Sequence, residues 1–133
     1  MSTADPLAAV EQYIDAVNAT DVERMAATFA DSAAIIDGMA PHLWLGPSAA
    51  RDWYRDVLAE GTAHGASNYF VTLGKSLHQD VTSDRAYVVL PATMTFELDG
   101  NQVTQTGAYF TAALVEQPDG WRIAAWAWTK GKQ

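Results

Sequence analysis

The chain has 133 residues, 49% hydrophobic and 18% charged, with sixteen acids against eight Lys and Arg and a formal net charge of -8. That size and balance fit one soluble domain over 1–133 with a single core, and they argue against a disordered chain. The excess of acid repels phosphate backbones and anionic lipid surfaces, so neither nucleic acid nor a membrane is expected as a partner.

The opening Met1-Ser2-Thr3-Ala4-Asp5-Pro6 has no basic region followed by an apolar one, and no secretory leader is expected from it. The absence of cysteine removes disulfides and thiolate chemistry, and a cytoplasmic setting is the expectation that fits it. Asp5-Pro6 resembles an N-cap followed by proline at the first helical position. Leu7, Val10, Ile14 and Val17 then mark one face of a helix, with Tyr13 beside them and a break at Asn18-Ala19. Thr20 with Glu23 forms a capping-box pattern for a short second helix carrying Val22, Met25, Ala26 and Phe29. Ala33 to Asp37 reads as a strand and His42 to Leu45 as its return. Gly46-Pro47-Ser48 opens a third helix with an apolar face of Ala50, Trp53, Tyr54, Val57 and Leu58, and Gly61 stands where a C-terminal glycine is expected.

From Asn68 onward the pattern is one of strands, over 68–78, 85–98, 102–116 and 121–129. Ser83-Asp84, Asp99-Gly100 and Pro118-Asp119-Gly120 supply the turns. In the second strand Ala86, Val88, Leu90, Ala92, Met94, Phe96 and Leu98 share a face by alternation, opposite Tyr87, Val89, Thr93, Thr95 and Glu97. In the last strand, alternation puts Trp126 and Trp128 on one face and Ile123, Ala125 and Ala127 on the other. Both sheet faces then need cover, and helices can bury one, so a partner subunit on the other face is expected. Helices followed by a long antiparallel meander make an α+β pattern.

The most unusual position is Asp37, a carboxylate in the run Ala33-Ala34-Ile35-Ile36-Asp37-Gly38-Met39. A carboxylate in a dry pocket loses hydration of its charged form, which makes it a usable proton acceptor near neutrality. Asp-Gly is also a preferred hairpin pair, so Asp37-Gly38 can equally turn the chain. Tyr13 is either a core residue with a satisfied hydroxyl or a pocket donor. His42 is a general acid or base, a partner tuning Asp37, or a structural residue. Met39, Trp44, Trp53, Tyr54, Phe96, Trp126 and Trp128 are candidates to line a cavity for a small apolar organic ligand, or to fill core and interface. His42, His64 and His78 show neither close pairing nor an HExxH spacing, so no metal site is expected. No Gly-x-Ser-x-Gly elbow and no phosphate-binding glycine loop is present.

The segments Glu11-Gln12-Tyr13-Ile14-Asp15-Ala16-Val17-Asn18-Ala19-Thr20-Asp21 and Thr28-Phe29-Ala30-Asp31-Ser32-Ala33, with Asp119-Gly120-Trp121-Arg122-Ile123-Ala124-Ala125-Trp126 near the end, resemble the NTF2-like superfamily and its SnoaL-like and ketosteroid isomerase-like members. The resemblance covers nearly the whole chain. It implies a cone-shaped α+β fold in which a strongly curved antiparallel sheet wraps the N-terminal helices, with a pocket at the open end and a dimer through the sheet. The superfamily holds isomerases, cyclases, hydrolases, dehydratases and non-catalytic binders, so activity does not follow from fold. In the ketosteroid isomerase type, a tyrosine of the first helix donates to the enolate oxygen and an aspartate ending the first strand shuttles the proton without a cofactor. Tyr13 and Asp37 match those two positions. The second oxyanion donor, an aspartate in that family, falls near Tyr109 here, and the Pro41-His42-Leu43-Trp44 segment resembles an uncharacterised branch. The leading expectation is then a cofactor-independent proton transfer on an apolar carbonyl compound, with Asp37 as base and Tyr13, together with Tyr109 or His42, as donors. A binding or dimerisation module, and a hydrolase activating water with Asp37 and His42, are the other readings.

Overall fold

The computed structural model describes residues 5–132; the segment 1–4, read above as lacking a leader, lies outside the described residues. Three helices, α1 (Pro6–Asn18), α2 (Val22–Ala27) and α3 (Ala49–His64), pack against strands β1 (Phe29–Ile36), β2 (Leu43–Gly46), β3 (Ala66–Leu73), β4 (His78–Thr82), β5 (Arg85–Leu98), β6 (Asn101–Gln117) and β7 (Gly120–Thr129). The strands form one curled, open sheet in the order β2-β1-β7-β6-β5-β3, with β4 also on β5. Its neighbours are antiparallel apart from β1 and β7, which run parallel, so the sheet is mixed.

α1 starts as its sequence demands: Asp5 caps the Leu7 amide at 2.8 Å and Pro6 occupies the first turn, where no amide is needed. Its buried side includes Val10, Tyr13, Ile14 and Ala16, so Tyr13 belongs to the core-facing stripe. The cap of α2 differs from expectation. Thr20 adopts a left-handed conformation (φ 56°) and its hydroxyl donates to the Ala19 carbonyl, while Asp21 accepts from the Arg24 amide. Glu23 is thereby free to form a two-pronged ion pair with Arg51 of α3, at 2.9 and 2.7 Å. α3 also runs past Gly61 to Gly65, which has φ 70° and ends the helix. Gly61 is needed for a different reason, since a Cβ there would stand 2.8 Å from the Ala66 carbonyl oxygen.

The strand expected over 68–78 is two strands. β3 pairs with the 92–98 half of β5 and β4 with its 85–89 half, in tandem along one edge. Between them Gly74 donates to the Pro91 carbonyl at 2.8 Å, with no space for a side chain beside the Pro91 ring. The strand β3 is fastened to α1 by Asn18, whose amide donates to the Val71 carbonyl and whose oxygen accepts from the Val71 amide, both at 2.8 Å. One side chain thus completes a strand edge.

Register shifts interrupt four of the strand pairings, and those in β7 and β6 change which side chains face the interior. Along β7, Ala113 pairs with Ala125 but Leu114 pairs with Ile123, so Ala124 is an extra residue. An inserted residue reverses side-chain parity. Trp121 and Ile123 before it, and Trp126 after it, are therefore all buried on the inner face. The expectation that Ile123 and Trp126 point oppositely is corrected by that insertion. Along β6, Ala108 pairs with Ala92 but Gln105 pairs with Met94, with Gly107 at φ 75° in between. Parity reverses there too, and Gln105 turns inward.

Replacing Asn18 with Ala leaves a backbone donor and acceptor on β3 without their partner, which costs about 1–3 kcal/mol. The expected result for Asn18→Ala is a lower urea midpoint with an unchanged slope; an unmoved midpoint would show that β3 holds without α1.

Candidate active site

The inner face of the sheet and the helices α1 and α3 enclose a cavity of about 1050 Å³. Its deep wall is aromatic. Tyr13 lies with its ring centroid 6.0 Å from Trp126 and 6.3 Å from Phe110, and Trp53 meets Trp126 edge-on at 5.0 Å. Edge-to-face and offset rings at these spacings are the favourable arrangements for aromatic packing. Each ring comes from a different element, α1, α3, β6 or β7, so the cluster ties the helices to the sheet at the point where the cavity begins.

Two indole N–H groups organise the polar atoms of this wall. Trp53 Nε1 donates to Asp37 Oδ2 at 2.8 Å, and Trp126 Nε1 donates to the Tyr13 hydroxyl oxygen at 3.1 Å. Asp37 follows β1 with the parity of Ala33 and Ile35, which face inward, whereas Ile36 is 54% exposed on the outside. Its side chain is half-buried and lines the cavity. Its backbone also serves the hairpin: the Asp37 amide donates to the His42 carbonyl at 3.2 Å, and His42 closes a turn onto the Met39 carbonyl at 2.9 Å. The turn reading and the cavity reading of Asp37 are therefore compatible, one belonging to its main chain and the other to its carboxylate.

Tyr13 is fully buried, and burial pushes its hydroxyl well above the ordinary tyrosine range; the Trp126 bond pulls the other way, and the Asp37 charge adds to the rise. It is therefore a neutral O–H at physiological pH. Among the described residues Trp126 is its hydrogen-bond partner, and that bond uses the hydroxyl oxygen as acceptor. Tyr54, raised by burial, is a second neutral phenol on the same wall.

The expected lining residues divide. Met39, Trp53, Tyr54, Phe96, Trp126 and Trp128 border the cavity. Trp44 does not: it is buried between β2 and α3, donating to Asp56 Oδ2 at 2.8 Å, a bond that holds the Asp56 carboxyl below its usual range. His42 is exposed outside the cavity, in a left-handed conformation, with Nδ1 3.1 Å from the Asp37 carbonyl oxygen. Tyr109 is 41% exposed on the outer face because its neighbour Phe110, paired with Trp128, takes the inward position. Neither His42 nor Tyr109 is among the residues that line the cavity. Residues not singled out beforehand also line the cavity, among them Phe110, Gln105, Met94 and Lys130. Alternation with Ala108 and Ala112 could have found Phe110; Gln105 depends on the bulge, which leaves no period-two signal. Among the described residues no three His, Asp or Glu gather as metal ligands, and no helix is long and apolar enough to cross a membrane.

Solved structures with the same architecture include a ketosteroid isomerase-like protein from Erwinia carotovora, 18% identical, covering 92% of this chain and 91% of its own, with a TM-score of 0.72. An NTF2-like protein with a cystatin-like fold from Novosphingobium aromaticivorans is 15% identical over 92% of this chain and 77% of its own, with a TM-score of 0.72. A hexachlorocyclohexane dehydrochlorinase from Novosphingobium barchaimii is 15% identical over 92% and 84%, with a TM-score of 0.75. These likenesses concern fold. Curated proteins give no match to the sequence.

A raised tyrosine makes a pH prediction. A phenol whose folded pKa lies above its unfolded one contributes stability that is present below the unfolded value of about 10 and lost as pH rises toward the folded value. Stability should therefore fall as pH rises above about 10, and Tyr13→Phe should flatten part of that fall in denaturant titrations. An identical alkaline limb in the variant would show that Tyr13 ionises as readily folded as unfolded.

The SnoaL-like domain family matches residues 7–127, and with it the chain belongs to that family, within the NTF2-like superfamily whose cone the α+β fold reproduces.

Proposed function

We propose that the protein holds a small apolar carbonyl compound in this cavity and moves a proton on it without a cofactor. The observation that carries the reading is Asp37: its carboxylate faces an aromatic cavity, with one oxygen held at 2.8 Å by Trp53. An indole N–H fixes the direction of the carboxylate without adding a positive charge to it, leaving Oδ1 for a substrate proton. Asp37 would take a proton from the carbon beside the carbonyl, and the electron pair of that C–H bond would pass to the carbonyl oxygen as an enolate. Tyr13 would donate its hydrogen bond to that oxygen; a fixed donor in a low-dielectric wall strengthens as charge develops. The Trp126 bond to the Tyr13 oxygen favours that donation, because it withdraws density from the hydroxyl. Return of the proton from Asp37 to a different carbon completes an isomerisation. His42 and Tyr109 have no part in this scheme.

Two relatives bear names of this chemical kind, ketosteroid isomerase-like and dehydrochlorinase. The rival reading is a binding or dimerisation module, and the hairpin bonds of Asp37 favour it, since they give the residue a use without turnover. A water-activating hydrolase is supported less, because His42 stands outside the cavity. A homodimer is part of the proposal, with the outer sheet face as its contact; Tyr87, Tyr109 and Ile36 are exposed there. The absence of cysteine supports a cytoplasmic setting.

The test is deuterium exchange at the carbon beside the carbonyl, followed by NMR across a panel of apolar ketones in heavy water. The wild type should catalyse exchange, and Asp37→Asn should lose about 10²–10⁴-fold while keeping its circular dichroism spectrum and urea midpoint. Exchange undiminished in that variant sinks the mechanism, and no exchange with any ketone that binds favours the binding module.

A further inference from the structure

The geometry points to Lys130 as an anion-recognising residue at the cavity mouth, so that the ligand is an apolar body carrying one carboxylate or similar oxyanion. The inference rests on the cavity being a small-molecule site, as proposed above.

Among the described residues that line the cavity, Lys130 is the sole Lys or Arg. It follows β7 with the inward parity of Trp126 and Trp128, which border the same space. Its backbone is held on both sides. Before it, Thr129 pairs with Tyr109; after it, Thr106 and Lys132 exchange two backbone hydrogen bonds at 2.9 and 2.7 Å. Between them Gly131 presses so closely on the Thr106 carbonyl that no side chain could be accommodated. A residue clamped in this way has its Cα fixed, and its side chain is aimed by the backbone.

The stem of Lys130 then lies across Gly38, the residue after Asp37. A Cβ on Gly38 would stand 2.6 Å from Lys130 Cε and 2.9 Å from both Cδ and Cγ. Gly38 is thus the space that the lysine stem occupies. Among the described residues Lys130 has no ion-pair partner, although the chain carries sixteen acids and most of its arginines are paired. The other ionisable pair on the cavity rim, Glu60 with His64 at 2.9 Å, satisfies itself. Lys130 is an exposed residue whose stem lies along Gly38 and borders an apolar wall, and a lysine so placed is suited to a ligand that is apolar with one charged end. In a protein of net charge -8, which repels anions at a distance, a local cation is what such a ligand needs on arrival.

The experiment uses two naphthalene probes of nearly the same shape: 1-anilinonaphthalene-8-sulfonate, an anion, and N-phenyl-1-naphthylamine, which is neutral. Binding of each is followed by fluorescence to the wild type, Lys130→Met and Lys132→Met. Lys130→Met should weaken the sulfonate probe by about three- to fivefold, the range for one partly solvated charge pair, and leave the neutral probe unchanged. Lys132→Met, which removes the same charge away from the cavity, should change neither. Gly38→Ala should weaken the sulfonate in the same direction by displacing the lysine stem. Undiminished sulfonate binding in Lys130→Met overturns the inference, as does an equal loss in Lys132→Met or a parallel loss of the neutral probe. Failure of the wild type to bind the neutral probe sinks the small-molecule reading of the cavity and this inference with it. Normal neutral-probe binding without any Lys130 effect sinks this inference alone.

Discussion

One inserted residue governs the interior. With Ala124 bulged out of β7, Ile123 and Trp126 both face inward, and the strand bends where it does so. An uninterrupted β7 could keep only one of those side chains inside. If Ile123 kept its place, Trp126 would point to solvent and Tyr13 would lose its hydrogen-bond donor at full burial. A buried hydroxyl without a partner carries a desolvation cost of about 1–3 kcal/mol, and the aromatic wall would lose its centre. The second bulge, at Gly107, acts alike on β6 and delivers Gln105 to the other side of the same space. Two parity reversals in neighbouring strands thus set which side chains line the cavity on this side.

The polar design of the wall uses neutral donors. Asp37 and Tyr13 are each held by an indole, and those indoles touch one another edge-on at 5.0 Å. Carboxylate and phenol are thus oriented by one packed unit that spans α1, α3, β1 and β7. An arginine in place of Trp53 would hold Asp37 more strongly, but as a salt bridge that favours its ionised form. An ion pair is used instead on the outside of α2 and α3, where Glu23 and Arg51 join the helices in water. At such exposure their contribution is small, and their use lies in fixing how the helices meet.

Much of the architecture was legible in the residues. Alternation in β5 predicted its buried side, because a strand with one face on a core must keep a period of two. Asp5-Pro6 marked the start of α1 through local chemistry that needs no tertiary partner. Local signals failed where a distant group competed. Thr20 and Glu23 have the spacing of a capping box, yet Asp21 caps the helix and Glu23 pairs with Arg51, twenty-eight residues away. Tyr109 lay one residue from the inward position, and in a strand one residue is the difference between cavity and surface.

The sequence by itself determined the class of fold and the acidic character of the chain, and it singled out Tyr13 and Asp37 as candidates, because periodicity, residue type and charge are properties of the chain alone. Tertiary structure decided which side chains meet. The bulges set the facing of Trp126 and Gln105, the hairpin carried His42 outward, and the clamp at Thr106 and Lys132 set Lys130 over Gly38 beside Asp37. Each of these depends on register between strands far apart in sequence, and register is fixed by the packing of the whole sheet on its helices.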